Sequence, residues 1–301
     1  VAGTAGADVW EVDDTPRVIV NGHANDLYSV AFHPASSSST DPGDANAGSQ
    51  SQKDGPIFAT ASEGETLNVW CASSRRLLRA CALGNAARSV GYSPDGARLA
   101  VGCVDGGIHV LDATSLVRVR WLKTFDGVVT AVVFSPDGSM LAAASADRRV
   151  DVFDVAAGYK RMHRGCAGHG AAVRHVDWSA DSRTLRSTCS AYEILHFDPR
   201  TGRPRRENQR DQRWATFTGV LGFDAMGIWR DGADGTDVNA CDVANGEGGK
   251  HHLVTADDFG GVNVFNFPCV VDEAPHRRCA GHSSHVTCVR VSPCGRWAVS
   301  V

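Results

Sequence analysis

Along residues 129–155 the chain runs in three short apolar bursts, VTAVVF, SMLAAAS and RVDVFDV, separated by the polar turn signals SPDG and ADR. Bursts of about six residues, rich in β-branched and aromatic side chains and bounded by turn residues, predict strands rather than helices. The same template returns at 88–113 (RSVGYSPDGARLAVGCVDGGIHVLDA), at 173–199 (VRHVDWSADSRTLRSTCSAYEILHFDP) and, in its first half, at 286–301 (VTCVRVSPCGRWAVSV). Each copy reads strand, turn, strand, turn, strand. In the Ser-Pro-Asp-Gly turns at 93–96 and 135–138, proline presets φ and glycine tolerates the positive φ that follows.

The third strands end on a large apolar or aromatic residue at Trp10, Trp70, Leu111, Phe153, Phe197 and Phe265, at intervals of 60, 41, 42, 44 and 68. A period in the low forties with three or four strands per copy predicts an all-β propeller of four-stranded antiparallel blades. Five copies are complete, with the end of an earlier blade in 1–20 and the start of a last one in 286–301. The count is therefore six or seven, with seven preferred if the parent chain adds strands. Residues 1–301 are expected to form one propeller. Because the chain begins at Val1 and stops at Val301 inside an apolar run, it reads as an excerpt of a longer protein.

The two long intervals need insertions. Residues 35–56 (ASSSSTDPGDANAGSQSQKDGP) lack any large apolar side chain and are expected to form a mobile loop between the first and second strands of their blade. The insertion at 200–235 differs in kind. Its basic part, RTGRPRRENQRDQR at 200–213, is followed by an apolar and aromatic part, WATFTGVLGFDAMGIW at 214–229, which has to pack somewhere.

Composition adds exclusions. A net charge of -4 argues against a general nucleic-acid binder. No apolar run approaches the roughly 18 residues of a membrane span. The ten cysteines contain no CxxC pair, and several sit where a small strand residue would serve, so they read as buried free thiols. In Asn245-Gly246-Glu247-Gly248-Gly249-Lys250 the first glycine is misplaced for a phosphate cradle and His251 stands where serine or threonine is required, so a hairpin turn accounts for the run. Adjacent His251 and His252 face opposite sides of a strand and form no metal pair. Ser283, Ser284 and His285 lack a nucleophile elbow. Trp214, Phe217, Phe223 and Trp229 read as a satellite core under a long loop rather than a base-stacking platform. No catalytic residue, cofactor or metal ligand is assigned, and neither a membrane nor a small-molecule substrate is expected.

Gly-His precedes a first strand at His23, His169 and His282, and an acid stands six residues before the terminal position at Asp105 and Asp147. In the copy ending at Phe265 the acid is Asp257 or Asp258, with Asp258 taken; in the copy ending at Trp70 it is Glu63. This combination resembles the WD40 repeat, which implies a buried hydrogen-bonded tetrad of His, Ser or Thr, Asp and Trp drawing here on His23, His169, His282, Asp105, Asp147, Asp258 and Trp70. The acid position of the His169 blade falls on Ala191, so that tetrad is expected to be incomplete.

Finer stretches narrow the likeness. WATFTGVLGF at 214–223, GIW at 227–229 and DGTDVNA at 234–240, with GHANDLYSVAFHP (22–34), YEILHFDP (192–199), DDFGGVNVFNFPC (257–269) and GHSSHVTCV (281–289), resemble the second propeller of the echinoderm microtubule-associated protein-like family. The resemblance implies a non-catalytic scaffold associated with microtubules or tubulin and neighbouring cytoskeletal proteins, located in the cytoplasm on the cytoskeleton and, for some members, in the cilium or axoneme. The alternative is a general WD40 scaffold in another assembly, such as a ubiquitin-ligase substrate receptor. Tubulin is acidic, and more than half of the 30 lysines and arginines lie between a third strand and the next first strand, on the expected rim. The densest group, Arg200, Arg203, Arg205, Arg206, Arg210 and Arg213, is the candidate partner contact. Edge protection by cations accounts for the rest of the belt.

Overall fold

A computed structural model of the chain describes residues 2–3, 9–11, 17–20, 22–23, 25–37, 55–230, 232–245 and 251–301. Most of the expected loop at 35–56, and the turn at 246–250, lie outside the described residues. Among the described residues, regular structure is β apart from 3-10 turns at Pro34–Ser37 and Phe223–Ile228.

The strands fall into antiparallel meanders in chain order. β1 (Ala2–Gly3), β2 (Val9–Glu11) and β3 (Arg17–Val20) form a three-stranded sheet. The first blade comprises β4 (Leu27–Phe32), β5 (Ile57–Ser62), β6 (Thr66–Cys71) and β7 (Leu77–Ala82). The second comprises β8 (Ala87–Tyr92), β9 (Arg98–Cys103), β10 (Gly107–Asp112) and β11 (Arg118–Lys123). In the third, β12 (Val129–Phe134), β13 (Met140–Ser145) and β14 (Arg149–Asp154) are followed by an outer strand broken into β15 (Lys160–Arg161) and β16 (Cys166–Ala167). The fourth has only β17 (Val173–Trp178), β18 (Leu185–Cys189) and β19 (Ile194–Phe197), a departure from the four-stranded expectation. The fifth comprises β20 (Val238–Asn245), β21 (His251–Asp257), β22 (Gly261–Phe267) and β23 (His276–Ala280). A two-stranded sheet, β24 (Val289–Val291) and β25 (Ala298–Ser300), takes the sixth place.

Burial follows a radial gradient. All of β13 is buried, whereas β11 and β23 are almost wholly exposed. A middle strand is covered on both faces by neighbouring blades, so its apolar run is continuous rather than alternating. The turns behave as the sequence requires. Gly96 and Gly138 take φ of +73° and +71°, and Ser93 and Ser135 donate to Asp95 and Asp137 at 2.5 and 2.6 Å. In the third copy Ser182 accepts the same left-handed geometry at φ 58°.

The cores lie between sheets, not within them. Leu67 and Val69 pack with Leu99 and Val101 between the first two blades. Ile108 and Val110 meet Val129 and Phe153 at the next junction, and Val150 and Val152 meet Trp178 and Phe197 at the third. A polar residue near the start of each first strand then stitches it to its neighbour. Val90 N–H donates to Ser29 Oγ at 3.0 Å, Ser89 Oγ to Val129 O at 3.1 Å, and Thr130 Oγ1 to Val173 O at 2.6 Å. His175 Nε2 contacts Asn239 O at 3.1 Å, Asn239 Nδ2 donates to Val286 O at 3.1 Å, and Thr287 Oγ1 donates to Leu27 O at 2.7 Å. The last stitch returns to the first blade. Among the described residues, six first strands therefore complete this circle of contacts.

Candidate functional site

The basic segment occupies the edge that the fourth blade leaves open. Beyond β19 the chain makes only partial ladder contacts: Asp198 N–H donates to Arg203 O at 2.9 Å, Arg205 N–H donates to His196 O at 2.7 Å, and Phe197 bridges to Pro204. Pro204 has no N–H to continue the ladder, so no outer strand forms. Arg200, Arg203, Arg206, Arg210 and Arg213 are exposed there, beside the exposed acids Glu207 and Asp211. Arg205 is half-buried, with Nη2 donating to Arg183 O at 2.9 Å and lying 3.9 Å from Asp198 Oδ2. The other basic groups mostly stand on exposed outer strands, including Arg118 and Arg120 on β11 and Arg277 and Arg278 on β23.

From that edge the insertion crosses back to the inner strand. Ala180 N–H donates to Arg213 O, Ala215 N–H to Trp178 O at 2.8 Å, and Trp178 N–H to Thr216 Oγ1 at 3.0 Å. It then ends on a buried ion pair. Asp177 Oδ2 accepts from Arg186 Nη2 at 2.8 Å and from Gly219 N–H at 3.1 Å; Oδ1 accepts from Thr218 N–H at 2.6 Å and Thr218 Oγ1 at 3.0 Å. Burial drives the Asp177 pKa upward, but the Arg186 guanidinium and the donors from 218–219 outweigh it and hold the carboxyl below its usual range. The Arg186 guanidinium lies 4.5 Å from the ring centroids of both Trp214 and Phe217. Phe217, Val220, Ala225 and Ile228 pack on Cys241, Leu253 and Phe265 of the fifth blade. Of the four aromatics read as a satellite core, Trp214, Phe217 and Trp229 pack in this way, whereas Phe223 is exposed with Arg210 5.9 Å from its ring.

The histidine sites diverge from one another. His23 is buried, with Nε2 2.8 Å from Thr60 Oγ1, which also accepts from Trp70 Nε1 at 2.8 Å. The other ring nitrogen, Nδ1, meets Thr66 Oγ1 at 2.8 Å, so a hydroxyl stands where Glu63 was expected. Glu63 instead pairs with Arg88 at 2.5 Å. Burial lowers the His23 pKa to about 4, so the ring is neutral at pH 7. His169 Nε2 meets Ser187 Oγ at 2.7 Å, and the acid missing at Ala191 is supplied two residues later by Glu193, whose Oε2 is 3.5 Å from His169 Nδ1. His282 Nε2 meets Ser300 Oγ at 2.8 Å but is exposed, because its sheet has two strands.

The predicted acids also separate. Asp105 accepts from Asn85 Nδ2 at 3.1 Å, and Asn85 Oδ1 reaches His109 Nε2 at 3.2 Å, so asparagine holds the histidine place. Asp147 caps the backbone N–H groups of Asp126 and Gly127 at 2.9 and 2.8 Å. Asp258 is not the buried member of its turn. It accepts from Asn239 Nδ2 at 2.6 Å and lies 2.9 Å from His285 Nδ1. Asp257, 6% exposed, accepts from the N–H groups of Phe259 and Gly261 and from Asn263 Nδ2. Sequence reasoning missed Thr66, Asn85 and Glu193. Gly84-Asn85, standing where Gly-His stands elsewhere, was the one available signal. It also missed Asp177 and Arg186, two buried charges on β17 and β18.

Among the described residues no serine hydroxyl bonds to His285. All ten cysteines are free, and seven of them are buried. Burial pushes the Cys103 and Cys166 thiols up to about 12.

Comparison with known proteins adds to this geometry. Residues 49–301 match the family model described as the echinoderm microtubule-associated protein second beta-propeller. Human echinoderm microtubule-associated protein-like 2 is 36% identical over 274 residues, which cover 90% of this chain and 39% of that protein. Human echinoderm microtubule-associated protein-like 3 is 33% identical over 277 residues, covering 90% and 28%. The rat protein named echinoderm microtubule-associated protein-like 1 is 33% identical over 284 residues, covering 91% and 31%. The chain thus spans at most 39% of the length of these relatives. A chain in the crystal structure of a mitotic checkpoint complex superposes with a TM-score of 0.62 over 81% of this chain and 80% of that one; at 17% identity this shows the fold alone.

Proposed function

Because the chain belongs to the echinoderm microtubule-associated protein-like family, within the region of its second β-propeller, we propose that residues 1–301 act as one non-catalytic scaffold ring that binds the acidic surface of tubulin through the basic segment 200–213. The observation that carries the reading is the placement of five exposed arginines on a stretch that is tied to the ring at both ends. Arg205 N–H holds one end to His196 O, and Arg213 O holds the other to Ala180 N–H. A charged surface so held presents its cations without first having to be ordered. It raises the association rate and makes binding depend on salt more than it deepens affinity. The location proposed is the microtubule cytoskeleton, of which the axoneme is one instance.

The test is co-sedimentation of the full-length protein with polymerised tubulin at low and at high salt. Charge reversal at Arg203, Arg205 and Arg206 together should lower the pelleted fraction at low salt and flatten the salt dependence. Pelleting that survives the reversal unchanged rejects the segment as the contact. Failure of the wild-type protein to pellet at low salt rejects tubulin as the partner.

A further inference from the structure

The His169 site differs from the His23 site in a way that points to a ligand. At His23 both ring nitrogens meet hydroxyls and Trp70 donates to the shared oxygen. At His169 the terminal aromatic is Phe197, which has no N–H, and only Nε2 is engaged, by Ser187. The His169 side chain is fully buried, and its Nδ1 has no hydrogen-bond partner. That nitrogen faces Glu193 Oε2 at 3.5 Å, and Cys189 Sγ lies 3.1 Å from the same oxygen. All three ligand-type atoms lie within 4.8 Å of one another.

We propose that His169, Cys189 and Glu193 form a zinc-binding site on the fourth blade. Zinc bonds of about 2.0 Å to nitrogen and oxygen and about 2.3 Å to sulfur place tetrahedral ligand pairs roughly 3.3–3.6 Å apart. The separations of 3.5 and 3.1 Å on Glu193 Oε2 need only a few tenths of an ångström of adjustment to match. The surroundings supply the orienting contacts that zinc ligands need. Ser187 fixes the imidazole through Nε2, and Gly170 N–H donates to Glu193 Oε2 at 2.7 Å. Glu193 is two-fifths exposed in its side chain, which gives the ion a way in and leaves the fourth position to water. On binding, the Cys189 S–H bond breaks, its proton leaves to solvent and the sulfur lone pair bonds the ion. No electrons change hands, and one proton is released per zinc. The sequence hides this set because Cys189 reads as a core strand position and Glu193 falls outside the expected acid position.

The test titrates the full-length protein, stripped with a chelator, with cobalt(II) and then with zinc. Cobalt should produce a sulfur-to-metal charge-transfer band that zinc bleaches. Cys189→Ala should abolish the band, whereas Cys279→Ala at the exposed thiol should keep it. Glu193→Gln should weaken zinc binding about tenfold or more with unchanged circular dichroism, and Ser187→Ala should weaken it by roughly 10–100-fold by freeing the ring. No thiolate band in the wild type overturns the proposal. So does a band and affinity indifferent to Cys189→Ala and Glu193→Gln. If Cys189→Ala fails to fold, Glu193→Gln decides, since its side chain is partly solvated. None of these outcomes depends on tubulin binding.

Discussion

The junction between the second and third blades and the junction between the fourth and fifth close the same ring by different physics. At the former, Ile108 and Val110 pack directly against Val129 and Phe153. The backbones come so near that a Cβ on Gly91 would stand 2.6 Å from Val132 O, and one on Gly102 would stand 2.5 Å from Val129 Cγ1. At the latter, the insertion is wedged in and held by Asp177 and Arg186, while one inner contact, His175 to Asn239 O, spans the gap. Apolar packing is non-directional and asks only for complementary shape. A wedge has to be aimed. Here the aiming falls to a carboxylate with four donors, which would be costly to bury with fewer. The ring thus admits an insertion at one junction without opening.

The comparison can be broken most directly at Asp177. Asp177→Ala leaves Arg186 buried without its partner and strips the acceptor from Thr218 and Gly219, which should cost about 3–5 kcal/mol in denaturant unfolding. Hydrogen exchange should rise first in 214–229 and stay low across β12 and β13. A loss below about 1 kcal/mol, or exchange rising equally at both junctions, would show that packing alone holds the wedge.

Acid should separate the two junctions as well. The Asp177 pKa is depressed in the folded chain below the ordinary aspartate value of about 3.8. Its contribution is therefore fully present above the unfolded pKa and is lost as pH falls from about 3.8 through the lower folded value. Exchange in 214–229 should accelerate in that window while β12 and β13 remain protected. An onset well above pH 4 would assign the acid sensitivity to other groups.

The smallest expected effect sharpens the direct side of the comparison. Thr130→Val removes the hydroxyl that donates to Val173 O at the third junction and should cost about 0.5–1.5 kcal/mol, read as a shift in denaturant midpoint with unchanged slope. A larger loss would mean that the polar stitches, and not the apolar cores, carry the direct junctions.

Much of the fold was legible because a blade repeats a local pattern. VTAVVF, SMLAAAS and RVDVFDV became β12, β13 and β14 with the turns at the expected residues, and Gly96 and Gly138 took the positive φ that the Ser-Pro-Asp-Gly signal requires. The site residues were less legible, because hydrogen-bond partners are chosen across the sheet rather than along the chain. Thr66 meets one histidine and Glu193 faces another from positions that the spacing rule did not mark, and Asp257 rather than its neighbour turned inward. The absent outer strand of the fourth blade was likewise invisible, although Pro204 in the basic run was a local sign of it.

By itself the sequence determined the strand periods, the turn chemistry and the family, since each is written in residues close together along the chain. The tertiary structure alone decided that six first strands among the described residues meet in a circle, that Asp177 and Arg186 anchor the insertion, and that His169, Cys189 and Glu193 converge. Those outcomes depend on which faces are brought together when each sheet buries its apolar side against the next. That pairing joins residues up to 260 positions apart, as Thr287 and Leu27 show, and no local pattern specifies it.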